Sequence, residues 1–443
     1  MREYIIISIV TLLSIFNVKA LEINLIRNSN INKSTTAIFN DTTLEFTDSS
    51  EKENNKKHKL AIESGVIIEN TSLNYKLFTS GNIDDYKQTI SDGLLEKNIL
   101  SVRTKNGVKY LNKNFSKKMG YSLAIYDRVE VDFGFSKDLF DLVFFGNEMF
   151  QGEEINLENT YLSATKFQQI NLTLFRMFNF HENQIEVGLG YSYLIGNHHV
   201  DFSTNNSYIE VGDDGEYINS NLNFIANFAD TNEFGLFGSN GAGYALNLSL
   251  DITLKDNSLH FSIEDFGNIN WNKEAVNYMS KEEINFSGLE IDNILSINDS
   301  LIQSQLDSLV DINYVAKMNN FTSYLPTKLH FAYKRDLNFE NSFSKNIDYV
   351  VIGFVEKYRK GLIPVEFNTR FYIGTNLSHK AFNAKTSYSI GGYSLNAWRM
   401  ELSQMFFNRH FQLVFGTCHF ESIFKGIDNR SADFYFSLNF LFN

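Results

Sequence analysis

From Tyr244 to Leu254 the chain alternates without a break: Tyr244, Leu246, Leu248, Leu250, Ile252 and Leu254 share one phase, and Ala245, Asn247, Ser249, Asp251 and Thr253 the other. Period two places successive side chains on opposite faces of an extended strand. Lys255-Asp256-Asn257-Ser258 then supplies a turn, after which Leu259, Phe261 and Ile263 resume the apolar phase against His260, Ser262 and Glu264. The pair reads as a β-hairpin. Ile185, Val187, Leu189, Tyr191 and Tyr193 oppose Glu186, Gly188, Gly190 and Ser192 in the same way, and Leu329, Phe331 and Tyr333 oppose His330, Ala332 and Lys334. Val365, Phe367, Phe371 and Ile373 oppose Glu366, Asn368, Arg370 and Tyr372. The chain ends on a further such run, with Phe434, Phe436, Leu438, Phe440 and Phe442 on one phase.

Strands of this length exceed the usual five or six residues or so of a soluble sandwich and match the roughly 9 to 11 that a tilted strand needs to cross a bilayer. The pattern therefore predicts an all-β fold, a transmembrane antiparallel β-barrel with an oily exterior and a polar lumen. Glu186, His260, Glu264, His330, Lys334, Glu366 and Arg370 fall on the polar phase and are predicted to line that lumen. Two windows depart from period two. Asn82 to Ile99 and Asn298 to Val310 place apolar residues at helical spacing and predict short helices, one in the N-terminal region and one in a long loop, acting as decoration or as a plug. Asp48 to Lys59 is dense in Ser, Glu, Asn and Lys and predicts a solvated loop or flexible tether. Gly196-Asn197-His198-His199 is expected to turn, and adjacent histidines on extended backbone point apart, which disfavours a metal site.

Composition sharpens the picture. The chain holds 41 Phe and 22 Tyr but only 2 Pro. Aromatics favour strands, and proline removes an N–H that a lipid-embedded ladder needs. The net charge of -13 disfavours a nucleic-acid partner, since no basic surplus is available to neutralise phosphates. At the N-terminus Arg2 precedes an apolar run from Ile5 to Phe16, and Val18-Lys19-Ala20 presents small residues for cleavage, so residues 1–20 read as a signal peptide cut between Ala20 and Leu21. Downstream, no apolar stretch is long enough for a spanning helix. Cys418 is the single cysteine, which leaves no partner for an intrachain disulfide. The chain carries no Gly-x-Ser-x-Gly elbow and no phosphate-binding loop, so neither catalysis nor a cofactor is expected.

Several stretches resemble, in order, an uncharacterised outer-membrane barrel family of Bacteroidota. They begin at Asp138 to Gly152, with Gly146-Asn147 inside, and continue through Gly243 to Leu248, Asp265-Phe266-Gly267-Asn268-Ile269-Asn270-Trp271, Phe286-Ser287-Gly288 and Tyr324-Leu325-Pro326-Thr327-Lys328. The resemblance spans the chain from about Gly120 onward and implies a barrel of roughly 14 strands, distantly similar to long-chain fatty-acid transporters. Gly146-Asn147 reads as a strand-terminating turn, and Asp265, Gly267, Trp271 and Pro326 as structural residues, with Trp271 at the membrane interface. The expected organisation is a signal peptide over 1–20, an N-terminal segment over 21–119 with early strands and a possible plug helix, and the main barrel over 120–443 with a long insertion at 273–320.

The expected function is that of an outer-membrane channel or transporter for a small molecule, a hydrophobic one by the resemblance. The alternative is a non-transporting scaffold that docks a surface or secretion complex. Expected partners are outer-membrane lipid and the barrel-assembly machinery, which the terminal strand with Phe436, Phe440 and Phe442 would engage.

Overall fold

The structure, a computed structural model, describes residues 57–72, 86–114, 118–158, 160–180, 183–213, 217–229, 238–272, 275–286, 315–337, 347–358, 367–420 and 431–442. In chain order its first strands are β1 (His58–Asn70), β2 (Lys97–Asn114), β3 (Met119–Ser136), β4 (Glu154–Asn156), β5 (Tyr161–Phe180), β6 (Asn183–Thr204) and β7 (Tyr208–Val211). Next come β8 (Ile218–Ala229), β9 (Gly241–Leu254), β10 (Asn257–Trp271), β11 (Ala275–Phe286), β12 (Val315–Met318), β13 (Phe321–Tyr324) and β14 (Thr327–Asp336). The last are β15 (Ile347–Tyr358), β16 (Phe367–His379), β17 (Phe382–Gly391), β18 (Asn396–Phe406), β19 (Phe411–Thr417) and β20 (Ala432–Phe442).

These strands form a closed antiparallel barrel of 14 staves. Round the ring run β1, β2, β3, β5, β6, β9, β10 and β14. The ring continues through β15, β16, β17, β18, β19 and β20. β20 closes it by pairing with β1, from His58 opposite Phe442 to Ile68 opposite Ala432. Closure leaves no edge whose N–H and C=O groups would face lipid unpaired.

The apolar phase faces out. Leu189, Tyr191, Leu246, Leu248, Phe371, Ile373, Phe440 and Phe442 are exposed on the isolated chain, whereas Ala245, Ser192 and Ser437 on the opposite phase are buried. One end of the barrel has tight connections, such as Lys255-Asp256 between β9 and β10. At the other end the chain makes long excursions, and β4, β7, β8, β11, β12 and β13 extend the sheet beyond the ring. The far half of β6 leaves β9 to pair with β8, which pairs in turn with β11. Here β6 is covered on both faces, and Phe167, Leu194, Ala229, Ile269 and Trp271 form a core.

Several expectations are corrected. The barrel starts well before residue 120, because β1 and β2 are full staves, and His58 and Lys59 open β1 instead of closing a loop. The N-terminal helical window yields only α1 (Lys87–Asp92), since β2 takes over from Lys97. Gly146-Asn147 ends a helix, not a strand. That helix, α2 (Lys137–Phe145), starts at Ser136, whose hydroxyl accepts from the Leu139 N–H, and stops where Gly146 adopts φ +90, a conformation glycine reaches without Cβ strain. His198 and His199 lie within β6 and not in a turn; a one-residue bulge at Asn197 absorbs the irregularity opposite Lys166 and Phe167. The window Asn298 to Val310 lies outside the described residues, as do Ala20, Leu21 and Glu366.

Candidate lumenal site

The polar phase of the staves converges on a girdle of ion pairs inside the barrel. Glu69, near the far end of β1, is 2% exposed and contacts the Arg370 guanidinium of β16 across the lumen, with β17, β18, β19 and β20 lying between them round the wall. Arg103 of β2 stands 3.6 Å from Glu69 and 3.5 Å from Asp132 of β3, and His419 Nε2 approaches Glu69 at 3.9 Å. A second bridge joins β3 to β10. Arg128 donates to Asp265 Oδ2 at 2.7 Å and to Gln169 Oε1 at 2.8 Å, and also pairs with Glu130. Gln169 in turn donates to Asp265 Oδ1 at 3.0 Å and to Ser192 Oγ at 2.9 Å. Buried charges persist only when paired and hydrogen-bonded, because desolvating one alone costs several kcal/mol. The girdle pairs each of these charges, and its two long bridges link staves that are not neighbours in the wall, although Glu69 Oε2 and Arg370 Nε are buried without a hydrogen-bond partner among the described residues.

Asp265 reaches the lumen through a bulge. The apolar phase of β10 runs Leu259, Phe261, Ile263, and an unbroken register would turn residue 265 outward. The pairing with β9 slips between Ile263 and Phe266 instead, Asp265 takes φ +57, and Phe266 assumes the outward position at 62% exposure. Asn247 of β9 supports the bulge by accepting the Asp265 N–H at 2.8 Å. Across the lumenward strand pair, β13 gives way to β14 at Leu325-Pro326, where Leu325 N–H donates to Gly267 O at 3.0 Å. Pro326 lacks an N–H and is tolerated at such an interruption. Gly267 fits because its position has no room for a side chain: a Cβ would lie 1.9 Å from Tyr244 O. Three of the stretches that carry the family resemblance thus meet here, and together they aim one carboxylate at Arg128.

The described residues among those expected to line the lumen carry polar partners. Glu186 pairs with Lys113 of β2 at 2.9 Å, Lys334 with Asp336 at 2.9 Å, and Glu264 with Lys328 at 3.4 Å. His260 Nδ1 lies 2.7 Å from Asp251 Oδ1, and its ring lies 5.0 Å from that of His330, whose Nε2 meets the Tyr372 hydroxyl at 2.7 Å. The Ser262 hydroxyl, near His260 in sequence, donates to Glu264 Oε1. Trp271 corrects its expectation. It does not stand at a lipid interface but is fully buried, stacked on His199 with centroids 5.1 Å apart, and donates to Ser323 Oγ at 2.8 Å. The phase slip at the bulge turns it inward. On β20, Phe440 and Phe442 face out, and Phe442 stacks on His58 of β1 with centroids 5.4 Å apart.

Glu69, Arg103, Arg128, Glu130 and Asp132 escaped the sequence reading. For Arg128, Glu130 and Asp132 the signal was present on β3, where Tyr121, Leu123, Ile125, Val129, Val131 and Phe133 alternate with Ser122, Ala124, Tyr126, Arg128, Glu130 and Asp132.

A closed antiparallel ring with an apolar outside and an ion-paired inside defines a β-barrel of the membrane-spanning type. The chain belongs to the Family of unknown function (DUF5723), which matches residues 62–416 and so takes in β1 and β2 as well as the stretches singled out in the sequence. No curated protein matches it. Among solved structures it is similar to the Ralstonia pickettii toluene transporter TbuX at 6% identity, covering 88% of this chain and 90% of that one, with a TM-score of 0.43. It is also similar to the Pseudomonas putida toluene transporter TodX at 8% identity, with 87% and 88% covered and a TM-score of 0.39. The translocator domain of the autotransporter NalP from Neisseria meningitidis matches at 7% identity, with 88% and 91% covered and a TM-score of 0.32.

Proposed function

We propose that the chain is an outer-membrane channel or transporter for a small molecule, with its lumen held shut by the ion-pair girdle. The carrying observation is the pair of bridges across the lumen, Glu69 to Arg370 and Arg128 to Asp265, inside a wall whose exterior is apolar. Charged bridges between distant staves have two discrete states, made and broken, which is what a gate requires. The polar lining favours a polar cargo over the hydrophobic one that the sequence resemblance implies. Short turns at the His58 end and long excursions at the other suit a barrel whose long loops face outside the cell. Planar-bilayer recording tests the reading: the native chain should conduct rarely, and Glu69→Gln with Asp265→Asn should raise open probability severalfold. No flux from either form under any condition would count against a channel.

The strands outside the ring support a second reading, a docking scaffold. β8 and β11 carry the sheet past the barrel wall and offer a platform beyond the lipid. Cross-linking in intact membranes separates the two readings, since a stoichiometric protein partner together with absent conductance favours docking.

A further inference from the structure

Beside the Arg128 bridge lies a small polar cavity with an unbalanced wall. Five cations face it, Arg103, Lys105, Arg128, Lys328 and Lys357, against three carboxylates, Glu130, Glu264 and Asp265. Those carboxylates are already engaged: Glu130 with Arg128, Asp265 with Arg128 and Gln169, Glu264 with Lys328. Arg103 leans on Glu69 and Asp132 instead. Lys105 differs from its neighbours. It sits directly opposite Arg128 in the β2–β3 ladder, a like-charge pair that by itself destabilises a sheet. Among the described residues no carboxylate lies within ion-pair distance of its ammonium group, which rests 4.4 Å from the centroid of the Tyr126 ring.

We infer that this space is a binding site for a small oxyanion, a phosphate or carboxylate group, held by Lys105 with Arg128 and Arg103 around it. The inference rests on the lumen being the working part of the molecule, and it names the class of solute that the lumen recognises. An oxyanion seated beside Lys105 would give its ammonium a charge-assisted contact and offset its repulsion with Arg128, whose guanidinium stays engaged with Asp265, Gln169 and Glu130. The contact with the Tyr126 ring partly offsets the cost of holding the Lys105 ammonium at the edge of the space, since an ammonium over an aromatic face is attracted to it.

Calorimetric titration of the folded full chain in detergent tests the site, with inorganic phosphate in one arm and acetate in the other, and chloride at matched ionic strength as control. Saturable binding of phosphate or acetate is expected, and the arm that binds more tightly identifies the group. Lys105→Met should weaken it roughly tenfold or more, as the loss of a hydrogen bond to a charged group does. Lys105→Arg should retain it, and Lys334→Met, whose ammonium pairs with Asp336 elsewhere in the lumen, should leave it unchanged. Heat-modifiable gel mobility establishes folding first, and Lys105→Gln replaces the Met variant if that one does not fold. Equal heats with chloride, or binding indifferent to Lys105, would overturn the site. Binding without conductance would retain the site and remove the channel, whereas conductance without binding would do the reverse.

Discussion

At the scale of single residues, one position decides whether a side chain meets lipid or lumen. Leu248 is exposed on the outer face of β9, while Ser249, the next residue, turns inward beside Gly188. Leu248→Arg should cost roughly 2 to 4 kcal/mol, the penalty for a cation near the bilayer midplane, and Ser249→Arg much less. Folding yield into lipid vesicles, read from heat-modifiable mobility, should separate the two sharply; equal yields would reverse the assignment of faces. Asp265 carries a different risk because it combines a left-handed backbone with a lumenal charge. Asp265→Ala should destabilise the barrel by about 2 to 3 kcal/mol, since Arg128 loses a charged partner and alanine resists positive φ. Asp265→Asn keeps both a tolerated conformation and an acceptor, and should cost less. Urea midpoints of the two variants give the comparison.

Elements were legible chiefly where a strand was exposed on one face and buried on the other, although β3, which alternates in the same way, was missed. β9, the start of β10, β14 and β20 all announce themselves by period two, because lipid selects one phase and the lumen the other. The signal failed where a second layer covers the wall. The upper part of β6, with His198 and His199, is buried on both faces, so its period disappears and a strand reads as a turn. It failed again at bulges. Asp265 looks like the end of an alternating run, yet the switch from Ile263 to Phe266 on the outer phase records the extra residue that turns both Asp265 and Trp271 inward. The girdle was half legible for a related reason: phase reveals that Arg370 faces the lumen, but which carboxylate meets it depends on the register of a ring that closes only through β20. That strand is also where element-scale mutation should tell most. Deleting Ser437 to Asn443 removes most of the β20 pairing with both β1 and β19 and should abolish membrane insertion, leaving aggregate or degradation products. Phe440→Ala with Phe442→Ala leaves the ladder intact and should only lower the yield. Fractionation of membranes after expression reads both, and a heat-modifiable deletion product would show that the ring closes elsewhere.

For the molecule as a whole, opening of the wall is what exposes the interior, and one residue reports on it. Cys418 follows β19, is 6% exposed, and burial pushes its thiol pKa up, which lowers the reactive thiolate fraction. Maleimide labelling of the folded full chain should therefore be far slower than of the urea-unfolded chain, and its rate should rise at the denaturant concentration where heat-modifiable mobility is lost. Fast labelling of the folded form would mean that this end of the wall opens without global unfolding.

The seam between β1 and β20 also sets a clock. Asn70 and Ser431, which share a hydrogen bond there, are 361 positions apart in the chain. At a synthesis rate of about 5 to 20 residues per second, β1 waits roughly 20 to 70 s for its second neighbour to be made. During that interval the growing chain has an outer edge ready to pair with any other strand, including one on a second copy. Aggregation of such a chain should therefore depend on how long the last strand is delayed more than on the stability of the finished barrel.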